Sequence, residues 1–556
     1  MRGRELKVNR KPLFPAAAIG LALACMLPPG ASAADERESL EALRQTTLGL
    51  IEALVEQGVI SREKADAMVK TAQQKAAVVA KEKPAAPGTV RVPYVPEVVK
   101  SEIREQLKQE VLAQAKNERW AEPNAIPSWL DSIKWEGDIR LRYQSDRFAG
   151  DNTLPADYDT EALTVGATRA ADFISPSANT TERRERSRLR ARLGMLGKVS
   201  ESWSAGIRLA TGSTTDRVST NQTLGQDWNK YTLLVDRAYV KFDPVEWLSV
   251  TGGRIPNPWF STDLVWDEDL NFEGIAATLK PVFANGAVKP FLTVGSFPLK
   301  EENPPASTGR WMHGVQAGAQ LDFSSDTRFK FGLGAYEFDS LEGRVEKDAD
   351  YFTSLLPGGN PVYGQYQYAR SLRQKGNTLF DTSSPTHYFI QTAATSLWGL
   401  ASRFRPINLT ASLDLAHFDP VHVVLTGDWV KNDAFDRAEI ARRTQGRVVL
   451  TDGKDYGYQY KLTVGMPQLK NARDWQVSLA SRYLGSDATL DAFTDSDFGL
   501  GGTNMKGHVF AMQYAVDRNA VLGLRWVSAD SIDSFTLNPA HRYSVDVLQA
   551  DVNVRF

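Results

Sequence analysis

Arginine at every second position is the pattern in this sequence with the clearest chemical capacity. In the stretch RERSRLRARLGML, most intervening positions carry small or apolar residues such as Leu189, Ala191 and Leu193. Side chains alternate between the two faces of a β-strand, so this stretch predicts a strand with one basic and one apolar face. Guanidinium groups stay charged and bind carboxylates and phosphates through paired hydrogen bonds. The basic face consists of Arg184, Arg186, Arg188, Arg190 and Arg192.

A second alternating stretch, IKWEGDIRLRY from Ile133 to Tyr143, adds Arg140 and Arg142 to these basic groups. Its apolar residues point one way and its charged residues point the other way. An arginine that faces lipid near the middle of a membrane costs about 2–4 kcal/mol. The arginines of both stretches must therefore face water or ion-pairing partners.

Acidic residues form the other chemical cluster, in the stretch PNPWFSTDLVWDEDL at 256–270. A smaller acidic stretch, TDSDFGLGG, holds Asp495 and Asp497, which either bind Ca²⁺ or are simply solvated. The six histidines show no metal-ligand spacing, and no serine motif indicates a hydrolase. We therefore expect no catalytic residues, no metal, no cofactor and no enzymatic activity. The acids of the main cluster are Asp263, Asp267, Glu268 and Asp269.

The elements that hold these residues are a long series of alternating segments, about sixteen in number, between residue 132 and residue 556. Short connections such as SSDT and DRN alternate strictly with long ones, the longest of roughly 69 residues. Only an up-and-down barrel places all long loops at one end. The sequence thus predicts an all-β membrane protein, a closed antiparallel transmembrane β-barrel of about 16 strands (range about 14–18). Segments 364–370 and 387–394 are alternative strands that would give about eighteen.

The barrel prediction agrees with the last strand and with the positions of tryptophan. Apolar and polar residues alternate back from Phe556, and a terminal aromatic residue is typical of the signal read by the outer-membrane insertion machinery. Trp135, Trp203, Trp247 and Trp475 all stand where strands leave the short turns, as expected for an aromatic girdle. Charged residues make up 24% of the chain, which excludes a bundle of membrane helices.

The first quarter of the chain has a different character. Residues 1–33 read as a signal peptide, with a basic start, an apolar core and a small-residue cleavage site; a lipoprotein site at Cys25 is the alternative. Helical periodicity predicts a periplasmic helical segment at 34–83, and a proline-rich linker follows at 84–96. Residues 97–131 predict a further periplasmic helix and the lead into the barrel. These helices are either a spacer or a coiled coil that joins copies or touches peptidoglycan.

Two segments resemble those of a known family. RVPYVPEVVKSEIR at 91–104 and WEGDIRLR at 135–142 are similar to sequences of the proteobacterial putative porin family. The resemblance implies an outer-membrane channel in a Gram-negative cell, with the helical segment in the periplasm. It implies no ligand-binding residues.

From this resemblance and the charge pattern we expect a passive diffusion channel for small hydrophilic solutes or ions. In general diffusion porins the third external loop folds into the barrel, and the same arrangement here would set the acids opposite the arginines across a constriction. The alternative is that the arginines bind loop carboxylates or lipopolysaccharide phosphates while the acidic loop is solvated.

Other functions and partners complete the expectations. A structural or adhesive protein that uses its long loops is the alternative function, and an energy-coupled transporter would need a plug and about 22 strands. Expected partners are outer-membrane lipid, lipopolysaccharide and the barrel assembly machinery. A homotrimer and a peptidoglycan contact are further candidates, and the net charge of −2 gives no reason to expect nucleic acid.

Overall fold

A computed structural model of the chain describes residues 132–155, 179–283, 286–302, 309–359, 362–390, 397–535 and 538–556, together with Lys70. The predicted signal peptide, helical segments and proline-rich linker lie outside the described residues. Within the described part, no helix is both long and apolar enough to cross a membrane.

Sixteen antiparallel strands form one closed sheet in the described part of the chain, as the sequence predicts. A two-residue strand, Gln222–Thr223 (β4), adds to this sheet from a loop. A separate pair, Leu379–Asp381 (β11) and Trp398–Leu400 (β12), forms a small sheet within the longest loop. The sixteen strands are Ile133–Phe148 (β1), Arg184–Lys198 (β2), Trp203–Thr211 (β3), Leu233–Val245 (β5), Leu248–Pro256 (β6), Asn271–Leu279 (β7), Val288–Lys300 (β8), Arg310–Ser324 (β9), Thr327–Asp339 (β10), Pro406–Phe418 (β13), Val421–Asn432 (β14), Tyr456–Gly465 (β15), Trp475–Leu484 (β16), Met505–Ala515 (β17), Ala520–Ser531 (β18) and Ser544–Arg555 (β19).

The barrel closes where the first strand pairs with the last. Strand β1 pairs with β19 over a register that sets Arg142 opposite Asp551 and Asp138 opposite Arg555. At the end of the chain, the Phe556 amide donates to the Gly137 carbonyl at 3.0 Å, and the Gly137 amide donates back at 2.9 Å. Closure satisfies backbone groups that would otherwise be unpaired in hydrocarbon.

Alternation along β1 separates two environments. Ile139 and Leu141 are 46% and 51% exposed on the outside of the barrel, whereas Arg140 and Arg142 are only 8% and 6% exposed. Apolar side chains that are exposed in a row are costly in water but favourable against lipid. The outer surface therefore suits a membrane, and the charged groups line the interior.

The two ends of the barrel differ in their connections. Short turns join β2 to β3, β9 to β10 and β13 to β14, and Trp135, Trp203 and Trp247 are exposed beside this end. The longest connection, at 340–405, contains β11, β12 and the helices Asp348–Ser354 (α1) and Pro385–Ile390 (α2). A third helix, Arg437–Arg443 (α3), follows β14, and 3₁₀ turns occur at Asp491–Phe493 and Phe498–Leu500.

The alternative of eighteen strands is wrong for the described residues. Residues 364–370 form turns, and the described part of 387–394 ends α2. Neither described part enters the barrel wall. Tyr368 of the first segment is buried in the aromatic cluster, so burial within a loop accounts for its apolar character, whereas Phe389 of the second segment is exposed.

Aromatic side chains fill one side of the lumen. Trp259, Trp266, Phe272, Phe297 and Tyr336 belong to one buried cluster inside β6–β10. Their rings contact one another edge-on, with Trp259 and Tyr336 centroids 5.1 Å apart. Any passage for water must therefore lie toward the opposite, charged side of the barrel.

Candidate functional site

The third long loop, residues 257–270, lies inside the barrel. It leaves β6, crosses the lumen and returns to β7. The Phe260 amide donates to Oε1 of Gln316 on β9 at 2.8 Å, and the Gln316 amide group donates back to the Phe260 carbonyl at 2.8 Å. Farther along, Thr262 donates to Asp428 on β14 through its backbone amide at 3.1 Å and its hydroxyl at 2.5 Å. These bonds fix the loop across the interior.

Trp266 is the main apolar anchor of this loop. Its side chain is 3% exposed, and its ring centroid lies 5.1 Å from that of Phe272 and 5.1 Å from that of Tyr336. Phe338 on β10 and Phe493 from the loop between β16 and β17 complete its surroundings at 6.3 Å and 6.0 Å. The indole ring of Trp266 thus joins its own loop to a second loop and to two strands.

The basic ladder of β2 meets the third loop through a shared set of carboxylates. Asp138 on β1 accepts from Arg190 at 2.9 Å and from Arg192 at 2.6 Å. Asp269 of the loop lies 3.1 Å from Arg192 and 3.9 Å from Arg190. Because Asp138 is opposite Arg192 in the strand register, the sheet itself sets up this cluster. The structure brings Asp269 to the ladder and into direct ion pairs.

The remaining predicted arginines divide into paired and uncompensated groups. Arg142 forms ion pairs with Asp551 at 2.7 Å and Asp497 at 2.9 Å, and Arg186 pairs with Asp146 at 3.1 Å. Three others have no carboxylate within 4 Å among the described residues. Arg140 donates to Asn221 at 2.8 Å, Arg188 donates to Gln144 at 3.4 Å, and Arg184 is exposed.

Asp263 reaches the barrel wall at β16 and β18, across the β1–β19 seam from the ladder. Its carboxylate lies 2.7 Å from Arg482 on β16 and 3.9 Å from Arg525 on β18. The same two arginines bind Asp495, at 3.1 Å and 3.0 Å, and Arg525 also binds Asp497 at 3.1 Å. The loop between β16 and β17 therefore folds inward as well and supplies two acids to this network.

Guanidinium groups bind the carboxylates of Asp495 and Asp497. For this pair, the sequence left Ca²⁺ binding and simple solvation as alternatives. Within the described residues, no group of three or more histidine, cysteine or acidic side chains is arranged to hold a metal. Sequence reasoning did not assign Arg482, Arg525 or Asp138 to the site. Their inward position follows from strand alternation, but their partners come from loops far away in the chain.

The acids of the third loop differ in the direction of their pKa shifts because they differ in neighbours. Burial alone would raise the pKa of Asp263, but Arg482 and Arg525 outweigh it and hold that pKa well below its ordinary value. Burial raises the pKa of Asp267 well above its ordinary value, and the nearby Asp495 carboxylate raises it further. Burial and Asp269 likewise raise the pKa of Glu268.

Two water-accessible cavities meet beside the basic ladder. One, of about 610 Å³, reaches Phe556 at the short-turn end of the barrel. The other, of about 490 Å³, extends along β15–β18 beneath the inward loops. Both are lined by Arg140, Glu268, Asp269 and Asp551. These four residues mark a narrow, charged region between the wall of β1 and β19 and the third loop.

Comparison with solved structures finds, among others, three proteins of very low sequence identity. The outer membrane channel DcaP of Acinetobacter baumannii is 11% identical, with a TM-score of 0.36, 76% of this chain covered and 97% of that one. OmpF of Salmonella typhi, in complex with daunomycin, is 8% identical, with a TM-score of 0.36 and coverage of 78% and 100%. OprB of Pseudomonas putida at high pH is 11% identical, with a TM-score of 0.42 and coverage of 77% and 95%.

Family assignment rests on the sequence itself. A search of curated proteins finds no match. The family model described as "Putative porin" matches residues 44–556, which include every strand of the barrel. The chain therefore belongs to the putative porin family.

Proposed function

We propose that the chain is a passive diffusion channel for small hydrophilic solutes or ions across the outer membrane. The observation that supports this proposal most strongly is the pair of neighbouring cavities beside the basic ladder, which share charged lining residues. Charged groups on both sides of a narrow passage favour ions and polar solutes over apolar ones, because apolar solutes gain nothing from the field. A channel of this kind needs no covalent chemistry and no cofactor.

The proposed selectivity residues fall into two sets. The basic set lines β1 and β2, where Arg140 and Arg188 have no described carboxylate within ion-pair distance and donate to Asn221 and Gln144 instead. The acidic set is on the third loop, where Asp263 is held in an ion pair with Arg482 on β16 and Asp269 in an ion pair with Arg192 on β2. We infer a field between the loop acids and the basic ladder that is partly neutralised by these contacts. The residues we assign to the passage are Arg140, Arg142, Arg184, Arg186, Arg188, Arg190, Arg192, Asp263, Asp267, Glu268 and Asp269.

The remaining parts of the proposal concern location and partners. We infer an outer-membrane barrel from 132 to 556, preceded by a signal peptide at 1–33 and a periplasmic segment built from 34–83, 84–96 and 97–131. Phe556 would serve as the insertion signal for the barrel assembly machinery, and lipid and lipopolysaccharide would contact the outer surface. A homotrimer and a peptidoglycan contact by the helical segment are consistent with this arrangement.

Conductance in a planar lipid bilayer tests the channel function. We expect the purified protein to produce discrete, step-like current increases that scale linearly with voltage at low voltage. The controls are detergent alone and the same protein unfolded by heat before addition. A correctly folded barrel that inserts but gives no current steps would contradict the proposal.

A further inference from the structure

A further cavity, of about 180 Å³, lies at the long-loop ends of β7–β10, on the aromatic side of the lumen. It is separate from the passage beside the ladder and shares no lining residue with the two cavities there. Its walls are mainly apolar. The aromatic residues that line it are Trp266, Phe272, Phe297, Phe338, Tyr368 and Phe493.

Two arginines border this apolar space, and neither forms an ion pair with a carboxylate of the described residues. Arg217, from the loop between β3 and β5, donates to the Ser371 carbonyl at 3.0 Å. Arg310, which is 5% exposed, donates through Nη2 to the carbonyls of Gln365 and Gln367 at 2.6 Å and 3.1 Å. Backbone carbonyls satisfy hydrogen bonds but do not cancel a charge.

The other charged groups at the cavity already have partners. Arg254 donates to Glu273 at 2.5 Å, and Lys300 forms an ion pair with Glu302. Asp491 accepts from the Tyr368 hydroxyl at 2.7 Å. Asp216 and Asp491 act on Arg217 from a distance, as do Glu302 and Glu342 on Arg310. Among the described residues, none of these carboxylates forms an ion pair with either arginine, so both guanidinium groups can still pair with a bound anion beside the aromatic cavity.

We propose that this cavity binds a small organic carboxylate with a single ring or a ring-sized apolar group. Its apolar part would occupy the aromatic space, and its carboxylate would bind Arg217 and Arg310. A cavity of about 150 Å³ lined by apolar side chains is known to hold benzene, so the volume fits one ring. Charge-assisted hydrogen bonds to guanidinium groups are stronger than neutral ones and orient a carboxylate well.

Other ligand classes fit the cavity less well. A neutral ring would leave the positive charge of Arg217 and Arg310 uncompensated. Inorganic phosphate would lose its water against aromatic walls that cannot replace it, and this loss is costly. A solute with two or more fused rings exceeds the volume. The chemistry of the site thus selects for one negative charge joined to one compact apolar group.

Fluorine NMR of 4-fluorobenzoate with the purified protein in detergent measures this binding without any flux through the channel. We expect its signal to broaden and benzoate to reverse the broadening, whereas acetate should not. The neutral analogue 4-fluorobenzyl alcohol should bind about tenfold more weakly, as expected for loss of one charged hydrogen bond. Equal binding of the neutral analogue, or no binding of 4-fluorobenzoate, would overturn the proposal.

Three variants locate the binding site. Arg310→Gln and Arg217→Gln should each weaken 4-fluorobenzoate binding about tenfold. Ala492→Leu, which keeps both arginines but fills part of the cavity, should weaken it as well. Lys230→Gln is the matched control, because Lys230 is exposed in the same loop as Arg217 but does not line the cavity. Unchanged binding in Arg217→Gln and Ala492→Leu would place the ligand elsewhere, whatever the fate of Arg310→Gln.

This inference goes beyond the diffusion function and can fail separately from it. A protein that conducts but does not bind 4-fluorobenzoate would contradict only the binding site. A protein that binds it but does not conduct would contradict only the channel.

Discussion

Replacing Arg188 and Arg190 together with alanine is expected to shift the channel toward cations. The double substitution removes two positive charges from the inward face of β2, where Arg190 lines the 610 Å³ cavity, and takes from Asp138 and Asp269 one of their cationic partners. A unit charge about 4 Å from an ion in water changes the energy of that ion by about 1 kcal/mol, a factor of about five. Because the loss of positive charge favours cations and disfavours anions, the ratio of cation to anion permeability should rise by at least about fivefold. The reversal potential in a potassium chloride gradient measures this ratio.

The charge-conserving double substitution Arg188→Lys with Arg190→Lys separates charge from shape. Lysine keeps the positive charge but loses the paired hydrogen bonds of guanidinium. We expect its reversal potential to stay near that of the unmodified protein. An equal shift in the alanine and lysine variants, or no shift in either, would remove these arginines from the conducting passage.

Trp266→Ala is expected to release the third loop and raise the single-channel conductance. Truncating a buried aromatic side chain of this kind lowers stability by about 3–5 kcal/mol. Here the lost stability is that of the contact between two loops and the barrel wall. Its loss leaves Phe272, Tyr336 and Phe493 without their common partner. We expect larger, noisier current steps and faster protease cleavage within 257–270.

Trp228→Ala provides the matched control, because Trp228 is fully exposed in the loop between β3 and β5. This variant removes the same chemical group from a position without packing, so conductance and cleavage should stay unchanged. If Trp266→Ala conducts like the control, the third loop does not narrow the passage.

The barrel could be predicted from the sequence because the pattern that identifies its strands is local. A strand that separates lipid from water must alternate at period two, and the stretch from Ile133 to Tyr143 shows this alternation before any contact is known. The structure places Arg140 and Arg142 inside and Ile139 and Leu141 outside, as this rule requires. Counting the alternating segments predicted about sixteen strands, and the described part of the barrel wall has sixteen.

The ion-pair partners of the charged residues could not be predicted from the sequence, because the paired residues meet only when the barrel closes. Asp551 reaches Arg142 across the closing seam, 409 residues away along the chain. Asp497 comes from a loop whose composition resembles an ordinary solvated turn. No local pattern distinguishes an acid that folds inward from one that stays in solvent. Loop 340–405 likewise looked partly strand-like, since segments that cover a lumen need apolar residues too.

Cysteine labelling in lipid vesicles tests most directly whether the barrel separates lipid from an aqueous lumen. Cys25 is the only cysteine of the chain and lies in the predicted signal peptide, so single cysteines can be introduced elsewhere. Leu425 and Thr426 are neighbours on β14; Leu425 is exposed on the outside, whereas Thr426 lines the 490 Å³ cavity. A charged, water-soluble thiol reagent should modify Thr426→Cys rapidly and Leu425→Cys hardly at all. Equal modification of the two positions would contradict the aqueous lumen.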